Sequence, residues 1–404
     1  MKTISGKLKI LAFAGIILIA AIVIQSCKKS SSPAGPTVSN VTTGANDTVG
    51  KSYTLTIVGT NLTGATLSTT ATGVTISNVS VTGSTSLTAT IAFATSAVPG
   101  TVTIVITTTA GTANAQITLN GIPLIGGYVS SDSVAAANLI SYFNFDNNVN
   151  DIAGSQTGTA VGVTYITGVR GQAYQGATGA YATVPASSAF ASLQSFSVSV
   201  WYNLPSAAKP QSGQSDPGGM FFVSGDTGTT GANANEILLE TDVPSASQLA
   251  ADSVPIHHGF NNIGGVPLSW QNFTMNSFDT ATSTWVHIVM TYNGSSSAYT
   301  FYENGQPIAV SSAFGVSTSS ILYDGSLPVG SGTPATQLQG NLIFTPAPPK
   351  TLIIGTWPPG VYGVSATLGS NGCFQGALDE LRVFNTALTQ QEVVGLYLNG
   401  LAGR

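Results

Sequence analysis

Charge is scarce in this chain: 7% of its 404 residues carry it, eleven basic and sixteen acidic, for a net charge of -5. A helix turned to water needs charged side chains along its outer stripe, so this scarcity argues against a helical protein. Basic residues this few, outnumbered by acids, exclude a nucleic-acid partner. Cysteine occurs twice, as Cys27 and Cys373, which excludes a disulfide framework. Of three histidines only His257 and His258 adjoin, with no third ligand at a recognised metal spacing, so the pair is expected in an exposed loop. No serine elbow, phosphate loop or glycine-rich dinucleotide fingerprint occurs with the strand and helix it requires. The one long apolar run, Ile10 to Ile24, is short for a membrane-spanning helix.

That run follows Lys2, Lys7 and Lys9 and ends in Ile24-Gln25-Ser26-Cys27. A basic start, a short apolar core, a small residue and a cysteine together form a bacterial lipoprotein signal. Residues 1–26 are expected to be removed and Cys27 to become the acylated first residue, leaving eight basic against sixteen acidic side chains, a net charge of -8. Several acyl chains, at ~0.8 kcal/mol per buried methylene, hold a protein to a lipid membrane far more firmly than one myristoyl group. The expected location is the outer membrane of a Gram-negative bacterium, with the cell surface favoured over the periplasmic face. Lys28-Lys29-Ser30-Ser31 departs from the acidic residues that follow the cysteine in surface-exported lipoproteins.

Thr, Ser, Gly and Val abound, the composition of strands and turns, so the fold class expected is all-β. Residues 27–36 form a flexible tether. From 37 to 121 short strands alternate with Gly and Asn turns, with Tyr53, Leu55 and Ile57 on one face and Val102, Ile104 and Ile106 on another, which predicts a small β-sandwich. A linker, 122–133, leads to a larger region, 134–404. There Phe196, Val198, Val200 and Tyr202 alternate with Ser197, Ser199 and Trp201, and Val286, Ile288, Met290 and Tyr292 repeat the alternation opposite Trp285 and His287. Asn304-Gly305 predicts a hairpin. Thr389-Gln390-Gln391-Glu392 is a capping box that opens a short helix through Val393, Leu396 and Tyr397.

Two resemblances rest on these residues. Gly50-Lys51-Ser52-Tyr53-Thr54-Leu55-Thr56-Ile57-Val58-Gly59-Thr60-Asn61-Leu62, with Thr109-Ala110-Gly111-Thr112, resembles immunoglobulin-like domains of the TIG type. Tyr142-Phe143-Asn144-Phe145-Asp146, Gly168-Val169-Arg170-Gly171-Gln172-Ala173, Tyr181-Ala182-Thr183-Val184-Pro185, Trp285-Val286-His287, Leu352-Ile353-Ile354-Gly355 and Phe374 to Phe384 resemble, in order, a laminin-G-like (LamG), concanavalin A-like jelly roll. The resemblance implies an Ig-like sandwich followed by a larger jelly roll with two insertions, near 203–283 and 312–350. It also implies either a lectin-like module or a glycan-cleaving enzyme, since the fold hosts both.

Hydrolases of the laminarinase type carry Glu-x-Asp-x-(x)-Glu on one strand. The nearest approach here, Glu236-Ile237-Leu238-Leu239-Glu240, has leucine where the aspartate belongs and reads as a strand edge facing water. For binding, flat rings stack on sugars and amides take the hydroxyls, which makes Trp270, Trp357, Tyr362 and Tyr323 the candidate glycan platform. Trp357-Pro358-Pro359-Gly360 would hold its loop stiff. Asp146, Asp151 and Asp379 offer hard oxygen ligands to a structural calcium ion, Asp379 lying on the same inward face as Leu381 and Val383. The alternative for all three is hydrogen bonding to turn amides.

The function expected is therefore a non-catalytic, membrane-anchored, lectin-like protein that captures a polysaccharide or other glycan. A glycan-cleaving enzyme using insertion carboxylates (Asp216, Asp226, Glu236, Glu240 or Asp242), and a structural module with a protein partner, are the alternatives.

Overall fold

The computed structural model describes residues 32–44, 46–204, 218–224, 237–241, 254–260, 271–275, 284–296, 298–307, 341–342, 350–358, 367–369 and 372–404. The chain divides into two units, Met1–Pro123 and Leu124–Arg404. No helix among the described residues is long and apolar enough to cross a membrane.

The first unit holds β1 (Thr37–Thr42), β2 (Ser52–Thr60), β3 (Thr66–Ser68), β4 (Val74–Thr82), β5 (Ser86–Phe93), β6 (Gly100–Thr108) and β7 (Gly111–Leu119). They form a four-stranded sheet, β1-β2-β5-β4, and a three-stranded sheet, β3-β6-β7. Leu55, Ile57, Ile104 and Ile106 are wholly buried between them, as the alternation requires.

The second unit begins inside the segment expected to be a linker. Ser131 donates from its N–H and its Oγ to the Arg404 carbonyl, and Tyr128 packs on a small apolar cluster, so that segment is built into the unit. The strands are β8 (Leu139–Phe143), β9 (Thr159–Val161), β10 (Thr164–Thr167), β11 (Gln172–Gln175), β12 (Tyr181–Pro185), β13 (Phe196–Asn203), β14 (Gly219–Ser224), β15 (Ile237–Thr241), β16 (Val254–Phe260), β17 (Gln271–Met275), β18 (Val286–Asn293), β19 (Ala298–Glu303), β20 (Gln306–Pro307), β21 (Thr351–Ile354) and β22 (Ala377–Phe384). An eight-stranded sheet runs β10-β11-β22-β13-β18-β19-β20, with β8 also paired to β22. A seven-stranded sheet runs β17-β16-β15-β14-β21-β12-β9. Phe196, Val198, Val200, Tyr202, Ile288, Met290 and Tyr292 face Val184, Phe221, Ile237, Leu239, Leu352 and Ile354 across one core.

Residues 203–283, expected to be an insertion, supply β14 to β17, four of the seven strands of that sheet. Met220-Phe221-Phe222-Val223 and Ile237-Leu238-Leu239 are continuous apolar runs, buried on both faces, so alternation gave no strand signal there. His258 stands on β16, not in a loop: it is buried in the core, stacked on Phe301 at 4.3 Å between ring centroids and bonded through Nδ1 to the Tyr299 hydroxyl.

The outer face of the eight-stranded sheet is covered by α1 (Gln390–Leu401). Its capping box forms as expected, with the Glu392 N–H donating to Thr389 Oγ1 at 3.3 Å and the Thr389 N–H to Glu392 Oε2 at 2.7 Å. Tyr397 stacks on Trp201 at 5.6 Å, and Gly400 lies so close that a Cβ there would stand 2.6 Å from the indole. Trp201 thus points away from the main core, as its register demands, into a second layer. Asn304 and Gly305 have φ of 48° and 81°, the two left-handed positions of a type I′ hairpin turn between β19 and β20.

Candidate functional site

Along β15, Ile237 and Leu239 enter the main core, so Leu238 and Glu240 share the opposite, outer face of the seven-stranded sheet. Leu238 joins Phe222, Ile353 and Trp357 in an apolar cluster on that face. On β12, Ala182 and Val184 turn inward, leaving Tyr181 and Thr183 on the same outer face, both half-buried. Gly369 and Gly372 border it: a Cβ on Gly372 would meet the Trp357 ring at 2.5 Å, and one on Gly369 the Tyr181 ring at 2.9 Å. Both glycines have positive φ, so they bring bare backbone against the two aromatics. Cys373 follows, its thiol donating to the Gly369 carbonyl and accepting from the Gly179 N–H, both at 3.3 Å.

The three aspartates expected to hold calcium each hold backbone amides. Asp151 accepts from the N–H groups of Tyr142 (2.9 Å) and Gly154 (2.8 Å) and from Ser141 Oγ (2.7 Å). Asp146 accepts from the Gln172 N–H at 2.8 Å, and Asp379 from those of Val169, Arg170 and Glu380 at 2.8, 3.1 and 2.9 Å. Asp146 and Asp379 therefore grip the same β10–β11 turn. The glycines beside them leave room for the carboxylates: a Cβ at Gly154, Gly168 or Gly171 would stand 2.3 Å from an oxygen of Asp151, Asp379 or Asp146.

Asp379 does not share the inward face of Leu381. Leu378 and Leu381 both enter the core, three residues apart, because β22 carries an extra residue: Asp379 pairs with Trp201 and Arg382 with Ser199. Glu380 takes up the bulge at φ 50°. Burial pushes the Asp379 carboxyl up to about 8, and its amide bonds pull the other way. Among the described residues no three acids, histidines or cysteines gather to hold a metal ion. Asp379→Ala is expected to leave three amides unsatisfied and cost about 3 kcal/mol. Calorimetry of parent and variant, each with and without chelator, checks this: a chelator-sensitive parent midpoint would favour the calcium reading.

The bulge also aims Glu380 and Arg382 into a cluster that the sequence did not suggest. Arg382 Nη2 lies 2.5 Å from Glu380 Oε2 and 2.9 Å from Asp132 Oδ1, and Arg170 makes a two-bonded pair with Asp132 at 2.7 and 2.6 Å. Tyr142 donates to Glu380 Oε1 at 2.8 Å, and the Arg382 guanidinium lies 4.3 Å from its ring centre. Hydrogen bonds from Arg170, helped by Arg382, hold the Asp132 carboxyl below the usual carboxylate range. Arg382 and Glu380 are buried, whereas Asp132 and Arg170 reach solvent.

The family described as the concanavalin A-like lectin/glucanases superfamily matches residues 175–342, which run through strands of both sheets. The second unit is a concanavalin A-like jelly roll. No curated protein sequence matches the chain. Among solved structures, domain 4 of a GH43 extracellular arabinanase from Geobacillus stearothermophilus, in complex with arabinotriose, is similar at 18% identity and TM-score 0.37, over 64% of this chain and 98% of that one. The CBM40 of a Ruminococcus gnavus IT-sialidase is similar at 12% identity and TM-score 0.32, over 51% and 84%. A Trypanosoma rangeli sialidase is similar at 12% identity and TM-score 0.38, over 74% of this chain and 42% of that one.

Of the aromatic residues expected to form a platform on the jelly roll, Trp357 lies on the outer face of the seven-stranded sheet, but 7% exposed and packed beneath Gly372. It is a floor, not a projecting ring, because chain from fifteen residues downstream returns over it. Trp270, Tyr323 and Tyr362 lie outside the described residues, as does Cys27. Glu240 is wholly buried on an interior strand, not at an edge facing water. Tyr181 was missed, although its alternation with Ala182 and Val184 already marks it as outward-facing.

Proposed function

We propose that this chain is a non-catalytic lipoprotein that captures a glycan on the outer face of the seven-stranded sheet of its jelly roll. The observation that carries the reading is the half-exposed Tyr181 beside the buried Trp357 floor, on one face with Phe222, Leu238 and Ile353. A flat sheet bearing aromatic and apolar groups offers a sugar ring the contact it needs. The first unit serves as an Ig-like stalk of the TIG type, residues 27–36 as the spacer, and acylated Cys27 as the anchor in the outer membrane, facing the cell surface.

A glycan array probed with the full chain tests capture, and Tyr181→Ala is expected to weaken retention about tenfold. Release of reducing ends would overturn the non-catalytic assignment. A blank array with a protein recovered by pull-down would replace glycan capture with protein binding. Cys27→Ser should move the chain out of the membrane fraction, and retention there would remove the anchor from the reading.

A further inference from the structure

Resting on the lipid anchor in that reading, we infer that residues 125–134 form a clasp that takes up tension from the anchored end of the chain before it reaches β8. A pull passed along the chain from the first unit enters the jelly roll at Leu124. The first strand it would meet, β8, is poorly placed to resist. Among the described residues its one partner is β22, through the short pairing of Leu139 to Phe143 with Leu381 to Phe384, so it can peel away at low cost.

The chain is fastened ahead of β8 at three places. At the first, Asn399 of α1 donates from Nδ2 to the Ile125 carbonyl at 2.8 Å, and Gly395 lies so close that a Cβ there would stand 2.4 Å from the Tyr128 ring. Gly126 and Gly127, with φ of 60° and 91°, make the tight turn in which Ile125 and Tyr128 exchange N–H···O bonds of 2.9 and 3.1 Å. At the second, the Ser131 N–H and Oγ both donate to the Arg404 carbonyl, at 2.9 and 2.6 Å. At the third, Asp132 accepts two bonds from Arg170 and one from Arg382, and Val134 is buried with Phe384 and Leu396. These partners belong to α1 and the residues after it, to β22, and to the β10–β11 turn that Asp146 and Asp379 grip. A pull on Leu124 is therefore spread over three elements at once, and bonds loaded together outlast bonds loaded one by one.

The test holds the full chain in optical tweezers by its N-terminus and by a cysteine introduced at the exposed Thr159, with Cys27 and Cys373 changed to serine. Freeing residues 124–138 ahead of β8 lengthens the chain by about 50 Å, a step several times shorter than the unfolding of either unit. Asp132→Ala should shorten the lifetime of the closed clasp at fixed force about tenfold, the loss of its charge-assisted bonds being moderated by solvent. With the N-terminal handle moved past the clasp, to a cysteine at the exposed Ala137, the same substitution should leave the lifetime of the jelly roll nearly unchanged. Equal clasp lifetimes in parent and Asp132→Ala would overturn the inference. So would an equal loss with either handle, which would make Asp132 a general stabiliser. Retention of the Cys27→Ser chain in the membrane fraction would instead overturn the anchor, and with it the source of the tension, whatever the lifetimes.

Discussion

Replacing Arg382 with alanine should cost the jelly roll about 3 kcal/mol, because it takes the closer of two arginines from the buried Glu380 carboxylate, leaving it Arg170 at 3.6 Å and the Tyr142 hydroxyl. The side chains of Arg382 and Glu380 are no more than 3% exposed, so little water can reach the remaining charge. The loss also removes the guanidinium from the Tyr142 ring and one of the two arginines from Asp132. In a unit of this size the fall in melting midpoint is on the order of 10 °C. Arg382→Met with Glu380→Leu removes both charges together and should recover most of the loss, since a buried pair contributes little net stability over an apolar one. Calorimetry of the single and double variants decides the matter. If the double variant melts as low as the single, packing rather than the weakened charge pairing is the cause.

His287 should make the jelly roll acid-sensitive. Its ring is buried against Trp201, 4.9 Å away, and Tyr397, 6.1 Å away, and Nε2 lies 2.9 Å from Ser199 Oγ on β13. Nδ1 has no hydrogen-bond partner among the described residues, so the proton belongs on Nε2, which donates to Ser199. Burial, with the Arg382 charge adding to it, lowers the ring from 6.5 to about 3. The folded state therefore keeps a neutral ring where the unfolded chain is already protonated. Its contribution is whole above pH 6.5 and drains away as pH falls toward about 3, by up to roughly 5 kcal/mol. His287→Gln should flatten the stability profile across that window. Denaturant titrations from neutral pH downward check this, and a parent and variant that lose stability in parallel would place the acid sensitivity in the carboxylates instead.

Local signals in the sequence carried most of the fold. The alternations on β13 and β18, the Asn304-Gly305 turn and the Thr389–Glu392 capping box each depend on residues a few positions apart, and each stands where it was expected. What depended on distant partners was hidden. Asp379 lies on the unexpected face because a single extra residue at Glu380 inverts the alternation, and a bulge leaves no mark in composition. Trp357 is covered by Gly372, which only the fold brings to it. Asp132 and Arg382 meet across 250 positions, so the ionic cluster was invisible along the chain. The candidate face was half legible: Trp357 was named, while Tyr181 and Glu240 needed the register of β12 and β15 to show that they share a surface.

The placement of β22 governs the order of assembly. This late strand lies inside the eight-stranded sheet, paired with β8, β11 and β13. Until about residue 384 has emerged, β8 has no neighbour and β13 has only β18, and loop closure over so long a separation is slow. A polypeptide threaded through a membrane from its amino end would thus stay unlocked during passage and snap shut only once its tail had arrived.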